Sequence, residues 1–182
     1  MIVLILGLTL WVAAHAFKRI LPQRRIAMGD RAKGLVAAGV LGSVVLMVFG
    51  YRAAPYIDLW YPPSFMVHLN NLLMVFALYL TSPAPKRGKL VAGMRHPMQT
   101  GFALWAIAHL LVNGDLASVI LFGTLLAWSA VTAQVINQAE PDWQPRSGGS
   151  YAIDGVCFVA SIVLLGVVGY VHGLLGPWPF PG

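Results

Sequence analysis

The chain is poor in charge, in thiols and in acid. Only 10% of its 182 residues are Asp, Glu, Lys or Arg, whereas soluble domains run near a quarter, so its surface is unsuited to water. A single cysteine, Cys157, excludes an internal disulfide and any cysteine-rich zinc or iron–sulfur site. Six carboxylates against twelve Lys and Arg leave little for a carboxylate metal cluster. The alternating apolar strands of a membrane barrel are missing. No internal repeat or low-complexity tract stands out. The mass allows one compact bundle and no second domain, so residues 1–182 read as a single unit.

What is plentiful is hydrocarbon: 58% of residues are hydrophobic and the mean hydropathy is +0.75. Six apolar spans stand out, at 2–17, 34–50, 63–81, 98–112, 116–136 and 152–175. Most approach the ~20 residues a helix needs to cross ~30 Å of hydrocarbon. In lipid the backbone must satisfy its own hydrogen bonds, so the fold class is all-α, a polytopic bundle of about six transmembrane helices. The first span has no basic residue before it and no small-residue cleavage site after it, so it reads as a span and not a cleaved leader.

The twelve basic residues are distributed unevenly. Eleven fall in the first, third and fifth loops, among them Lys18, Arg19, Lys86, Arg95 and Arg146, and only Arg52 falls in the second. The positive-inside rule then puts the odd loops in the cytoplasm and both termini outside, as in a multi-pass membrane protein. The net charge of +6 therefore expresses topology, with a secondary affinity for anionic lipid. The lipid bilayer is the expected partner, and nucleic acid is not.

Residues 137–150 read as an irregular cytoplasmic loop, and the tail "GPWPFPG" as an extended terminus with Trp178 at the interface. Gly34, Ala38 and Gly42 on helix two, and Gly166, Gly169 and Gly173 on helix six, are small residues at spacings that let helices approach closely.

Intramembrane histidines are the chemical anomaly, because an ionisable group in lipid is costly. His15, His68, His109 and His172 fall within spans, and His96 sits beside Arg95 at the mouth of helix four. His172 and His68 read as hydrogen-bonded structural residues, the latter next to Asn70 and Asn71. For His109, flanked by Leu and Ala, a structural imidazole and a cofactor ligand both stay open. His96 and His109 are ~20 Å apart along the helix and on faces ~140° apart, so they cannot share one metal. Haem suits such a site, since it brings four nitrogens of its own and asks the protein for only one or two. Trp105 and Phe102 lie one and two turns from His109 on roughly its face, where they could wall a porphyrin or simply pack. Arg95 and His96, at the positive end of a helix whose first turn holds Pro97, could offer cationic donors to an anionic group or anchor the interface. Gly101 would let another helix or a ligand come close.

The run "MRHPMQTGFALWAIAHLLVNGDLASVILFG", with "VAAHAFKRI" in helix one and "YRAAPYIDLW" after helix two, resembles the NnrU family of bacterial membrane proteins. It is similar also to the related zeta-carotene isomerase. The resemblance implies a link to denitrification, in support of nitrite and nitric oxide reduction. In the isomerase branch it implies a haem b ligated at the positions of His15 and His109, with a cysteine three residues before the second ligand. Here that position holds Ala106, a departure that weakens a ligand switch and carotenoid isomerisation. Counted from the ends of their helices, His15 lies ~7 Å and His109 ~18 Å above the cytoplasmic boundary. Those levels also allow His15 with His96 and His109 with His68, unless tilt closes the gap.

Four functions fit these residues. The first is a haem-b membrane protein handling a small redox ligand or serving a denitrification enzyme. The second is an isomerase of a hydrophobic polyene. The third is a membrane methyltransferase with an "RHP" helix mouth, for which Glu140 and Asp142 are the nearby acids. The fourth is a non-catalytic scaffold.

Overall fold

The computed structural model describes residues 1–181, whose regular elements are all helices. The elements in chain order are α1 (Ile2–Ile20), α2 (Pro22–Ala27), α3 (Arg31–Arg52), α4 (Met66–Thr81), α5 (Ala84–Arg87), α6 (Pro97–Val112), α7 (Leu116–Ala139) and α8 (Tyr151–Leu175). Six are apolar, one for each span read from the sequence, and α2 and α5 are short helices in the basic loops. Helices α1, α3, α7 and α8 are long and apolar enough to cross a membrane. Helices α4 and α6 have 16 residues each, or ~24 Å of rise, somewhat less than the hydrocarbon thickness.

The pattern of burial is that of a helical membrane bundle. Large apolar side chains face outward, including Ile2, Phe49, Val156, Val167 and Leu174. In water such a surface would aggregate; in lipid it is the solvated one. Many of the buried residues are small, among them Ala32, Ser43, Ala77, Ala106, Ala108 and Ser161, beside larger ones such as Leu4, Tyr79 and Phe122. Small side chains allow close helix approach, and the hydroxyls return their protons to backbone carbonyls, as Ser161 does to Cys157 O at 2.8 Å.

The chain forms two compact units. The first comprises Met1–Leu59 and Asp115–Thr124 and is built on the α1–α3 pair. A Cβ added to Gly7 would meet Met47 N at 2.8 Å, and one on Gly50 would run into the Leu4 backbone, so these glycines set the contact. Of the stripe expected on the second span, Gly34 faces open space and Gly42 makes only ordinary contact with Leu10. The close approach uses Gly7, Gly39 and Gly50 because they point along the line where the two helices touch. Asp115 caps α7 within this unit, accepting from Ser118 N at 3.0 Å, while Tyr51 Oη and Ser118 Oγ lie 2.8 Å apart.

The second unit comprises Trp60–Gly114 and the chain from Leu125 onward. Helix α4 is its hub and packs on α6 and α8. Gly101 of α6 lies against α4, where a Cβ would stand 2.8 Å from Ala77 O. Asn70 of α4, oriented to satisfy its amide, donates to Ala108 O of α6 at 3.0 Å. Two expectations are corrected here. Helix α7 continues to Ala139, since Glu140 N still donates to Ile136 O at 2.9 Å and Pro141 forbids further turns. The tail does not run on as an extended terminus: it folds back along α8, with Phe180 over Gly169 and Trp178 over Gly173, Trp178 remaining exposed. Those glycines accommodate aromatic rings from the chain's own end rather than another helix. Asn71 donates to Pro179 O at 3.2 Å and secures the turn-back.

Candidate functional site

Helix periodicity creates the same local arrangement twice. In α1, Trp11 and His15 are four residues apart and share a face, with ring centroids 4.2 Å apart. His15 Nδ1 lies 2.8 Å from Trp11 O. In α6, Trp105 and His109 repeat the spacing, with centroids 5.0 Å apart and His109 Nδ1 2.8 Å from Trp105 O. A carbonyl can only accept, so each imidazole carries its proton on Nδ1, and in the neutral ring the lone pair is on Nε2. The first module is in the first unit and the second in the second unit.

The residues that make these modules read Leu10-Trp11-Val12-Ala13-Ala14-His15 and Leu104-Trp105-Ala106-Ile107-Ala108-His109. Four of the six positions are identical, a correspondence that a search for long repeats passes over. Trp11 is thereby a site residue that sequence reasoning missed, and the i, i+4 pairing with a histidine was its signal.

Around His109 the second unit adds a row of rings. Trp105 and Phe102 have centroids 5.2 Å apart, and Phe102 meets Trp128 of α7 edge-on at 5.3 Å. The sequence-derived trio Phe102, Trp105 and His109 is therefore contiguous. Asn113 donates to His109 O at 2.8 Å, and the Asn70 bond to Ala108 O fixes the preceding residue, so α6 is held on both sides of the imidazole. Ala106 is fully buried, and the thiol of Cys157 belongs to α8.

Arg95 and His96 form a separate group at the other end of α6, ~20 Å of helix rise from His109. His96 Nε2 lies 2.8 Å from Asn137 Oδ1. Arg95 donates to Glu140 O and stands over the Trp143 ring, 5.5 Å from its centroid. His172 Nδ1 lies 2.8 Å from Pro177 O in the tail turn, and His68 is exposed near the start of α4. Among the described residues no three His, Cys, Asp or Glu side chains gather as a metal site.

The family described as NnrU protein matches residues 3–179. The chain belongs to the NnrU family. No curated protein and no solved structure matches it. The match takes in both Trp-x-x-x-His modules and all six apolar helices but for the first residue of α1.

The donor set fits a haem better than a bare ion. A bare divalent metal needs three or four protein ligands, whereas haem iron needs one or two, and the chain offers two imidazoles with the nitrogen opposite the anchored Nδ1 carrying the lone pair. Metal-ligating histidines characteristically donate their other N–H to a carbonyl or carboxylate, which fixes the tautomer and raises basicity.

Proposed function

We propose that this NnrU-family chain is a membrane haem protein whose haem b is held by Nε2 of His15 and Nε2 of His109, and that it serves nitrite and nitric oxide metabolism. The observation that carries this reading is the repeated carbonyl anchor, Trp11 O to His15 and Trp105 O to His109, each at 2.8 Å. A bound haem would supply one-electron chemistry or a position for a small diatomic ligand. The chain's own contributions are two oriented imidazole nitrogens and an apolar aromatic wall of Phe102 and Trp105. The skewed distribution of basic residues supports a place in the bacterial inner membrane with both termini outside the cytoplasm.

The test is haem content of the full chain, purified in detergent from haem-replete cells and assayed as the pyridine haemochromogen. Wild type is expected to carry stoichiometric haem. His15→Ala and His109→Ala should lose it, while His68→Ala and His172→Ala should keep it. A folded wild-type protein without haem, or full haem in both ligand variants, would reject the proposal.

A further inference from the structure

At the opposite end of α6 from His109, the second unit contains a cavity of about 290 Å³. That is room for about ten water molecules at their liquid volume, more than a bare phosphate needs. Three cations line it: Lys86 of α5, Arg95 before α6, and Arg146 in the loop before α8. The remaining wall includes Leu80, Met98 and Trp143, and Met98 is also largely exposed beside it.

The guanidinium groups are fixed by neutral partners. Arg95 donates to Glu140 O, and Arg146 donates to Gly88 O and, at 3.0 Å, to Gly148 O. The Nε–H of each is buried and meets no acceptor among the described residues. Among the described residues no carboxylate forms an ion pair with Lys86, Arg95 or Arg146; the ion pair of Lys33 with Asp30 is in the first unit. Asp154 feels Arg146 but is already occupied by Tyr79 Oη at 2.7 Å, Lys89 N at 2.7 Å and Leu90 N at 3.0 Å, and the neighbouring acids Glu140 and Asp142 are not part of the lining. The lining therefore carries three cations, two of them held by backbone carbonyls, and no carboxylate, beside an apolar wall.

We propose that this cavity binds the phosphate headgroup of an anionic phospholipid. The cations match the phosphate, the apolar side chains match the start of an acyl chain, and the site falls in the basic loops that the charge distribution puts at the cytoplasmic face. Basic pockets at that level are suited to acidic lipid headgroups. The site is independent of the histidine modules and of any haem.

Native mass spectrometry of the full chain in mild detergent tests it, with added phosphatidylglycerol, phosphatidylcholine or inorganic phosphate. Phosphatidylglycerol should be retained over phosphatidylcholine, and 10 mM inorganic phosphate should not displace it. Lys86→Gln, at an exposed position, should weaken retention about fivefold and Arg95→Gln at least as much, while Arg19→Gln in α1 changes nothing. Equal retention by Lys86→Gln and wild type would overturn the proposal. So would equal binding of phosphatidylcholine, or displacement by inorganic phosphate, which would make the ligand a soluble anion.

Discussion

Gly101 gives the sharpest test of how the second unit is packed. An added methyl would lie 2.8 Å from Ala77 O, 3.0 Å from Leu80 Cβ and 3.0 Å from Thr81 Cγ2. Two of those neighbours are a backbone carbonyl and a Cβ, which no rotamer change can move, so relief requires α4 and α6 to separate. Overpacking of this kind costs about 1–3 kcal/mol, and the helix preference of Ala over Gly returns roughly 0.5–1 kcal/mol. Gly101→Ala should thus be destabilised by about 1 kcal/mol, and Gly101→Val, with a wider wedge and no propensity gain, by about 3 kcal/mol. Gly166→Ala is the control, because a Cβ there meets nothing within 4 Å; it should be neutral or slightly stabilising. Reversible unfolding in mixed detergent micelles reads all three. If Gly101→Val unfolds like wild type, α4 and α6 do not pack as described. Because Gly101 is on the helix that presents His109, the Val variant should also lower haem content.

Asn70→Ala removes the donor to Ala108 O and should cost ~1 kcal/mol in the same unfolding assay, together with a measurable loss of haem affinity. Tyr79→Phe takes one of three donors from the buried Asp154 carboxylate, so its melting temperature should fall while Ser82→Ala, at a half-buried hydroxyl beside it, falls less. Phe180→Ala removes the ring seated on Gly169. Amide exchange in the C-terminal turn should then rise, with exchange in α1 and α3 unchanged.

The six apolar helices were legible because their hydrophobic runs are long and bounded by prolines and basic loops, and the two units' seams of small residues agree with lipid as the solvent. The tail was not legible. Its fold-back depends on Phe180 and Trp178 meeting glycines on α8, and nothing local in "GPWPFPG" specifies that partner. Residues 137–139 read as the start of a loop from the sequence, yet the helix continues to the last residue before the Glu-Pro pair. In the site, Phe102, Trp105 and His109 followed from helical spacing alone. Trp11 was overlooked because a lone Trp in an apolar span is unremarkable until its carbonyl is seen to hold His15. Asp154 was not legible because its partners Tyr79 and Lys89 are distant in sequence, and Arg146 reads from the sequence only as a loop charge because its partner Gly88 is equally distant.

The proposed role of the two histidines of this NnrU-family protein, each anchored by a tryptophan carbonyl, is to ligate haem iron through Nε2. Low-temperature electron paramagnetic resonance of the oxidised, detergent-purified chain addresses it most directly. A low-spin ferric signal of bis-imidazole type, converted to high spin or lost in both His15→Ala and His109→Ala, is the expected result. A wild-type ferric signal that survives unchanged in either variant would contradict it.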